Sequence, residues 1–373
     1  MTDAPEVATA AAHLTDAAAR GAAAADIVTP DLVATDAVAS AVASPDADLS
    51  GLSGVKVARV AVLANPGAGR GRHRAAIPGA IERIRAAGVH VDVLSADSEA
   101  EALIATRRAV ADGVDAVVAI GGDGTVHLAM QAVAGTPVAL GAIPAGTGND
   151  FIREIGLPTE IPMAAEAIAR ALESGTRRRI DLARLVTLGE TPPEHHHGAT
   201  PVHGPGDEHR HDRWFGAVLA AGFDAIVNER ANRMRFPRGP RRYDIAIIAE
   251  LMRLRPRHYS LRLDGERLDV DAVMVSVANT PSYGGGMRIC PAADPTDGLL
   301  DLTVVGPIGR TRFAMIKPRV YAGTHVLHPA VTTYRARRIE VAAEGITAYV
   351  DGERAAPLPV AVTAMPGALT LLA

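Results

Sequence analysis

The stretch VDAVVAIGGDGTVHLAM, Val114 to Met130, decides the architecture. An apolar run of strand length ends in two glycines, and a carboxylate, Asp123, then stands at the head of a helix. The same order recurs on both sides of it. Upstream, VKVARVAVLANPGAGRGRHR (55–74) ends in Asn65, Pro66 and a glycine cluster, after which Ile77, Ile81 and Ile84 fall at helical spacing and Gly88 acts as a stop. VHVDVLSA (89–96) and EAEALIATRRAVADG (99–113) supply the next strand and helix. PVALGAIPAGTGNDF (137–151) gives a fourth strand and another glycine turn. Strands alternating with helices predict an α/β domain built on a parallel sheet covered on both faces.

After Gly175 the pattern changes. RRRIDLARLVTL (177–188), RWFGAVLAAGFDAIV (213–227), HYSLRLDG (258–265), LDVDAVMVSVAN (268–279), GLLDLTVVG (298–306) and YRARRIEVAA (334–343) read as strands with few helices between them. They predict a second, mainly antiparallel, β-sandwich-like domain interrupted by one helix at roughly 240–254. The expected organisation is an Ala-rich disordered leader over 1–54, a nucleotide-binding α/β domain over 55–178 and a β-rich domain over 179–373. The insertion at 189–212 is too polar and too rich in proline and glycine to pack. Its six histidines, His195, His196, His197, His203, His209 and His211, have loose spacing and no cysteine partner, so they are assigned no catalytic role.

Nearly half of the 373 residues are apolar, enough for a substantial core, whereas a net charge of −4 and an aromatic content of 3% argue against a nucleic-acid partner. The single cysteine, Cys290, cannot make an internal disulfide and fits a reducing cytoplasm, the expected location. Neither a spanning helix nor a signal peptide is expected from the sequence.

Ligands of a parallel β/α sheet bind outside the carboxyl ends of its strands, where the three glycine turns fall. Gly67 and Gly69, Gly121, Gly122 and Gly124, and Gly146 and Gly148 allow backbone N–H groups to approach an anion, and the helix starts add a favourable dipole. Together they point to a polyphosphate cradle, although the P-loop, Rossmann and protein-kinase signatures are all missing. Asp123 either caps its helix or holds a metal that bridges phosphates. An acid inside a phosphate cradle repels its ligand unless a cation intervenes, which favours magnesium.

NPGAG, GGDGTVHLAM, PAGTGNDFIREIGLP, ADPTDGLLDL and DGE occur in the order and approximate spacing of the diacylglycerol kinase catalytic-domain family, and the likeness runs over residues 56–373 apart from the His-rich insertion. What the chain resembles implies an ATP-dependent, magnesium-dependent lipid kinase with an NAD kinase/diacylglycerol kinase-like fold. Nucleotide contacts would fall on Asn65, Gly67, Gly69, Arg70, Gly121, Gly122, Asp123, Gly124, Thr125, Thr147 and Asn149, with a looser match at Ser95. A structural magnesium would sit at Asp297 with backbone carbonyls near Asp294 and Leu299. Glu353 would be the general base that takes the proton of a lipid hydroxyl, and Asp123 with magnesium would offset charge on the moving phosphoryl group. Asp150, Arg153 and Asp181 match charged family positions and are expected to orient the metal network, with a helix cap for Asp150 and a surface ion pair for Arg153 left open.

The acceptor is expected to be diacylglycerol or a related membrane lipid, reached by peripheral contact with an anionic inner leaflet. The arginine-rich segment 228–259 suits that contact, and PSYGGGMRICP (281–291) suits a lip against acyl chains. Pairing into a homodimer is a further expectation of the resemblance. Two alternatives share the GGDGT turn or the histidines: an NAD kinase-like enzyme, and a non-catalytic nucleotide-binding or metal-sensing protein.

Overall fold

The computed structural model describes residues 57–65, 67–146, 148–189, 212–234, 236 and 241–373, without the side chain of Arg70. The expected leader, Thr147 and most of the His-rich insertion lie outside the described residues.

The first part runs β1 (Arg59–Ala64), α1 (Ile77–Arg85), β2 (His90–Leu94), α2 (Glu99–Ala111), β3 (Ala116–Gly121), α3 (Asp123–Val133), β4 (Ala139–Pro144), α4 (Asp150–Glu154) and α5 (Ile161–Ser174). Strands β2, β1, β3 and β4 lie side by side in that order, all parallel. Every residue of β3 and β4 is buried, as the centre of a sheet covered on both faces requires. Ile81 and Ile84 of α1 and Ile168 and Leu172 of α5 fill one core, while Val126, Met130 and Val133 of α3 fill another with α2.

The second part runs β5 (Arg177–Thr187), β6 (Asp212–Phe215), β7 (Val218–Ala220), α6 (Phe223–Arg233), α7 (Arg241–Met252), β8 (Arg257–Leu263), β9 (Glu266–Ala272), β10 (Met274–Ala278), β11 (Leu300–Val305), α8 (Arg310–Ala322), β12 (Val331–Ala336), β13 (Arg338–Ala342), β14 (Thr347–Val350), β15 (Glu353–Pro357) and β16 (Val360–Leu372). A six-stranded sheet, ordered β12-β11-β10-β7-β14-β15, is antiparallel throughout. Its inner face packs Leu219, Val275, Val277 and Leu302 against Tyr259, Leu261, Ile339 and Val362 of the other sheet, the β-sandwich core. The last strand joins the two parts. β16 pairs antiparallel with β13 and β5, and its final turn of sequence reaches β4, where Leu371 pairs with Leu140 in parallel.

Three expectations are corrected. Residues 213–227 do not form one strand: β6 ends at Phe215 and β7 at Ala220, and at Gly222, where an added Cβ would stand 2.6 Å from the Met274 Cα, the chain turns into α6. Residues 334–343 break at Arg337, so β12 and β13 belong to different sheets. Helix α8 is not expected from the sequence, because it buries only Ile316 and carries no apolar stripe. Cys290 is a core residue, its thiol pushed up to about 12 by burial.

Candidate active site

Strand order sets the site. With β2, β1, β3 and β4 parallel and adjacent, Ser95, Asn65, Gly121–Gly122 and Gly146 stand in sequence along one sheet edge. The Asn65 backbone N–H donates to the Ile120 carbonyl (2.9 Å), and its side-chain Oδ1 accepts from the Gly67 N–H (2.9 Å), an Asx turn that holds the first loop in place. The second and third loops touch backbone to backbone. A Cβ on Gly146 would lie 2.5 Å from the Gly122 Cα, and one on Gly148 would lie 2.5 Å from the Asp123 Oδ2, so neither position accepts a side chain without moving its neighbour.

Asp123 is the first residue of α3, but its carboxylate does not cap that helix. Oδ2 instead accepts the Asn149 N–H (2.8 Å), tying the second loop to the third. Burial raises its carboxyl above the ordinary range, opposed by the Asn149 hydrogen bond and reinforced by the charges of Asp150 and Asp351. Asn149 is left-handed at φ 58°, and its side-chain Oδ1 is buried with no hydrogen-bond partner. Asp150 caps nothing either: one oxygen takes Arg153 (2.9 Å) and the other the Gly285 N–H (2.6 Å), which fixes the glycine lip to α4.

The DGE segment is a two-residue hairpin turn between β14 and β15. Asp351 and Gly352 both have positive φ, 50° and 87°, as a tight Asp-Gly turn requires. The Asp351 carboxylate is buried and accepts the N–H groups of Gly216 (3.0 Å), Ala217 (2.9 Å) and Val218 (3.2 Å). It also meets His127 Nδ1 on α3 at 3.2 Å. One turn further along α3, the Gln131 amide pairs with both the carbonyl (2.6 Å) and the N–H (3.0 Å) of Trp214. These bonds dock α3 on the β-rich part and bring the exposed Glu353 over its first turn, where Oε1 lies 3.8 Å from the place a Gly124 Cβ would occupy.

A cavity of about 640 Å³ opens beside this turn. Asp123, Asp150, Asp351 and Gly352 form its polar end. The rest is lined mainly by apolar side chains from α6, α7, β11 and α8, including Phe223, Ile247, Leu251, Val305, Phe313 and Val320. Tyr283, Gly284, Gly285 and Met287 of the lip form part of the wall. One half-buried acid interrupts it. Asp224 accepts the Tyr283 hydroxyl (2.6 Å), and burial pushes its carboxyl up.

The sequence-derived nucleotide residues Asn65, Gly67, Gly69, Ser95, Gly121, Gly122, Asp123, Gly124, Thr125 and Asn149 thus lie on three neighbouring loops and the flanking end of β2, while Thr147 and the Arg70 side chain lie outside the described residues. Asp294, Asp297 and Leu299 sit elsewhere, beside Asp181, Asp301 and Arg335. His127, Gln131, Asp224 and Tyr283 were not singled out from sequence. His127 and Gln131 are spaced four apart on one helix face, a detectable signal; Asp224 was hidden in a run that reads as strand.

Among the described residues no three acidic, histidine or cysteine side chains form a ready-made metal cage. At the glycine turns, the raised Asp123 carboxyl and the orphaned Asn149 Oδ1 are oxygen donors that suit magnesium held by one protein carboxylate, phosphates and water. In the second part, Asp297 is engaged by Arg335 and the Leu299 N–H (2.9 Å), and Asp294 by Thr296. Asp181 and Asp301 lie alongside, and among the described residues the Arg335 guanidinium pairs with only Asp297 and Asp301, which leaves an oxygen-rich surplus of negative charge compatible with a hard cation.

A sequence model of the diacylglycerol kinase catalytic domain matches residues 59–185, and one of the YegS C-terminal NAD kinase beta sandwich-like domain matches residues 217–373. A diacylglycerol kinase of Mycobacterium tuberculosis is 43% identical over 320 residues, covering 85% of this chain and 96% of the relative. One from Staphylococcus aureus is 24% identical over 305 residues, 81% of this chain and 88% of the relative. A crystal structure of a diacylglycerol kinase from Bacillus anthracis str. Sterne superposes with a TM-score of 0.59 at 21% identity, over 86% of this chain and 98% of that one, which establishes likeness of fold.

Proposed function

The chain belongs to the diacylglycerol kinase family and is a lipid kinase, and on that premise we propose that it transfers the γ-phosphoryl of ATP to the hydroxyl of diacylglycerol or a closely related lipid. The observation that carries this reading is the continuity of the glycine turns with a cavity whose polar end holds Asp123 and Asp351 and whose remaining wall is mainly apolar. A hydroxyl at the head of an acyl-bearing molecule fits such a space; a dinucleotide acceptor does not need its greasy end.

In this reading the three loops direct backbone N–H groups at the phosphates, and Glu353 takes the acceptor proton. The freed alkoxide attacks the γ-phosphorus in line, the new O–P bond forms as the bond to the β-phosphate oxygen breaks, and ADP leaves with that electron pair. Magnesium, held at Asp123, would neutralise phosphate charge when bound. A second cation near Asp297, carried over from the family, would serve structure.

The helices that wall the cavity, α7 and α8, also carry exposed apolar side chains: Ile248 and Met252 are 63% and 62% exposed, and Met315 is 62% exposed. No described helix is long and apolar enough to cross a membrane, so lipid access in this proposal is lateral, by contact of these helices with the bilayer surface.

The test is transfer of labelled phosphate from ATP with magnesium to detergent-dispersed diacylglycerol, with NAD as a separate acceptor and Glu353→Gln alongside. We expect labelled lipid, no labelled NAD, and a kcat lowered roughly 100-fold or more in the variant with the fold intact. Transfer to NAD alone, or undiminished transfer by the variant, overturns the acceptor or the base respectively.

A further inference from the structure

A second hollow, of about 410 Å³, lies at the C-terminal end of α7 and is bordered by Arg253, Arg255, Arg257 and Arg310. Four arginines border one concavity, so positive charge predominates around it. The one carboxylate in its lining, Glu250, is already paired with Arg230 of α6. The first turn of α8, which begins at Arg310, contains no acid. Arg257 reaches only the Glu344 backbone carbonyl, at 3.4 Å, and among the described residues Arg253, Arg255 and Arg310 have no carboxylate partner within ion-pair distance. Nothing in the phosphoryl-transfer site uses these arginines.

Planar guanidinium forks in an electropositive hollow match phosphate oxygens in charge and geometry. We propose that this hollow binds a phosphate-class anion, either free or as the headgroup of an anionic lipid, at a site separate from the acceptor cavity. Phe223 gives the site its connection to catalysis. Its ring lines both the hollow and the acceptor cavity, and it stacks edge-on against Phe313 at 4.9 Å and 71° on the cavity side. An anion drawn in by Arg253 and Arg255 therefore acts on a shared wall, and its presence changes the apparent KM for lipid rather than that for ATP. This coupling rests on the lipid-kinase reading; the binding itself does not.

The test compares the full chain with Arg253→Gln/Arg255→Gln, two exposed positions just past the end of α7 and outside the catalytic machinery (hereafter the α7 variant), and with Arg107→Gln/Arg108→Gln on α2 as a charge-matched control. One arm follows thermal stabilisation by inorganic phosphate in saturating ADP, which occupies the glycine turns. The other measures flotation on phosphatidylcholine vesicles with and without phosphatidylglycerol. A free-anion site predicts phosphate stabilisation in the wild type and the α2 control that is lost in the α7 variant, with vesicle binding equal in all three. A headgroup site predicts roughly 30-fold weaker binding of the α7 variant to anionic vesicles, from about 1 kcal/mol for each lost cation, with the control unaffected. Wild-type behaviour of the α7 variant in both arms overturns the proposal, and so does an equal loss in the control, which would mark a diffuse charge effect. Failure of the lipid-kinase reading would appear instead in the detergent assay, as a wild type that labels no lipid.

Discussion

His127 is the residue through which the nucleotide half of the site and the DGE turn are held in register. Its ring meets Asp351 at 3.2 Å, and Asp351 lies two positions before Glu353 at the head of a tight turn. Because the other contacts of Asp351 are to the backbone N–H groups of Gly216, Ala217 and Val218 leading into β7, the imidazole is its side-chain tie to α3. Replacing His127 with Leu should leave the hairpin formed but loosen its position over the Asp123 turn, lowering kcat roughly tenfold with the KM for ATP nearly unchanged. His127→Asn offers an amide where Nδ1 stood and should recover most of the loss. An equal defect in both variants would show that ring packing, not the hydrogen bond, is what matters. Asp123 belongs to the same scale: its sequence context left a helix cap and a metal ligand open, and its hydrogen bond goes to Asn149 on another loop, an outcome that depends on β3 and β4 being neighbours.

At the level of elements, α7 and α8 have an unusual burden. Each buries few residues, one in α7 (Ala246) and one in α8 (Ile316), while Ile248, Met252 and Met315 face outward. Helices so sparsely anchored are candidates for contact with a lipid surface, and they carry much of the acceptor-cavity wall on their other sides. Ile248→Asp combined with Met252→Asp should reduce flotation with vesicles about tenfold or more, because two exposed apolar side chains are lost and two charges added. Turnover on detergent-dispersed lipid should stay within about twofold, since neither change alters a hydrogen bond of the site. Loss of activity in detergent as well would place these residues in the acceptor cavity rather than at a membrane. The sequence signalled α7 through its arginine-rich surroundings but gave no sign of α8, whose pattern of arginines, a lysine and Pro318 has no helical apolar period. Strand and helix are equally hard to separate in GFDAIV (222–227), where a short apolar run fits either; the close approach of Gly222 to β10 ends the strand and begins α6.

At the scale of the whole molecule, buried carboxyls decide how stability follows pH. Asp224 is half-buried in the cavity wall, and desolvation raises its folded value above the unfolded one near about 4. Its contribution is therefore fully present below the unfolded value and is lost as pH rises through the folded one. Asp123, Asp181 and Asp301 are raised by burial and act with the same sign. Glu166, Glu229 and Asp269 are lowered by hydrogen bonds to neighbouring side chains, so their contributions disappear only as pH falls below the ordinary carboxylate range. The Tm of the ligand-free protein should decline as pH rises above the ordinary carboxylate range, and Asp224→Asn should flatten that slope while keeping an acceptor for Tyr283. A slope unchanged by Asp224→Asn would assign the pH dependence to other groups. The β/α alternation, the three glycine turns and the acids among them are legible in the residues alone, because hydrophobic period and turn chemistry are local properties carried by a few adjacent positions. Only the tertiary structure decided that β16 returns to β4, that Asp351 and His127 meet across 224 residues, and that Asp224, Tyr283 and the walls of α7 and α8 enclose one cavity. Those features depend on strand order and on packing between distant segments, and no local pattern encodes which buried faces will find each other.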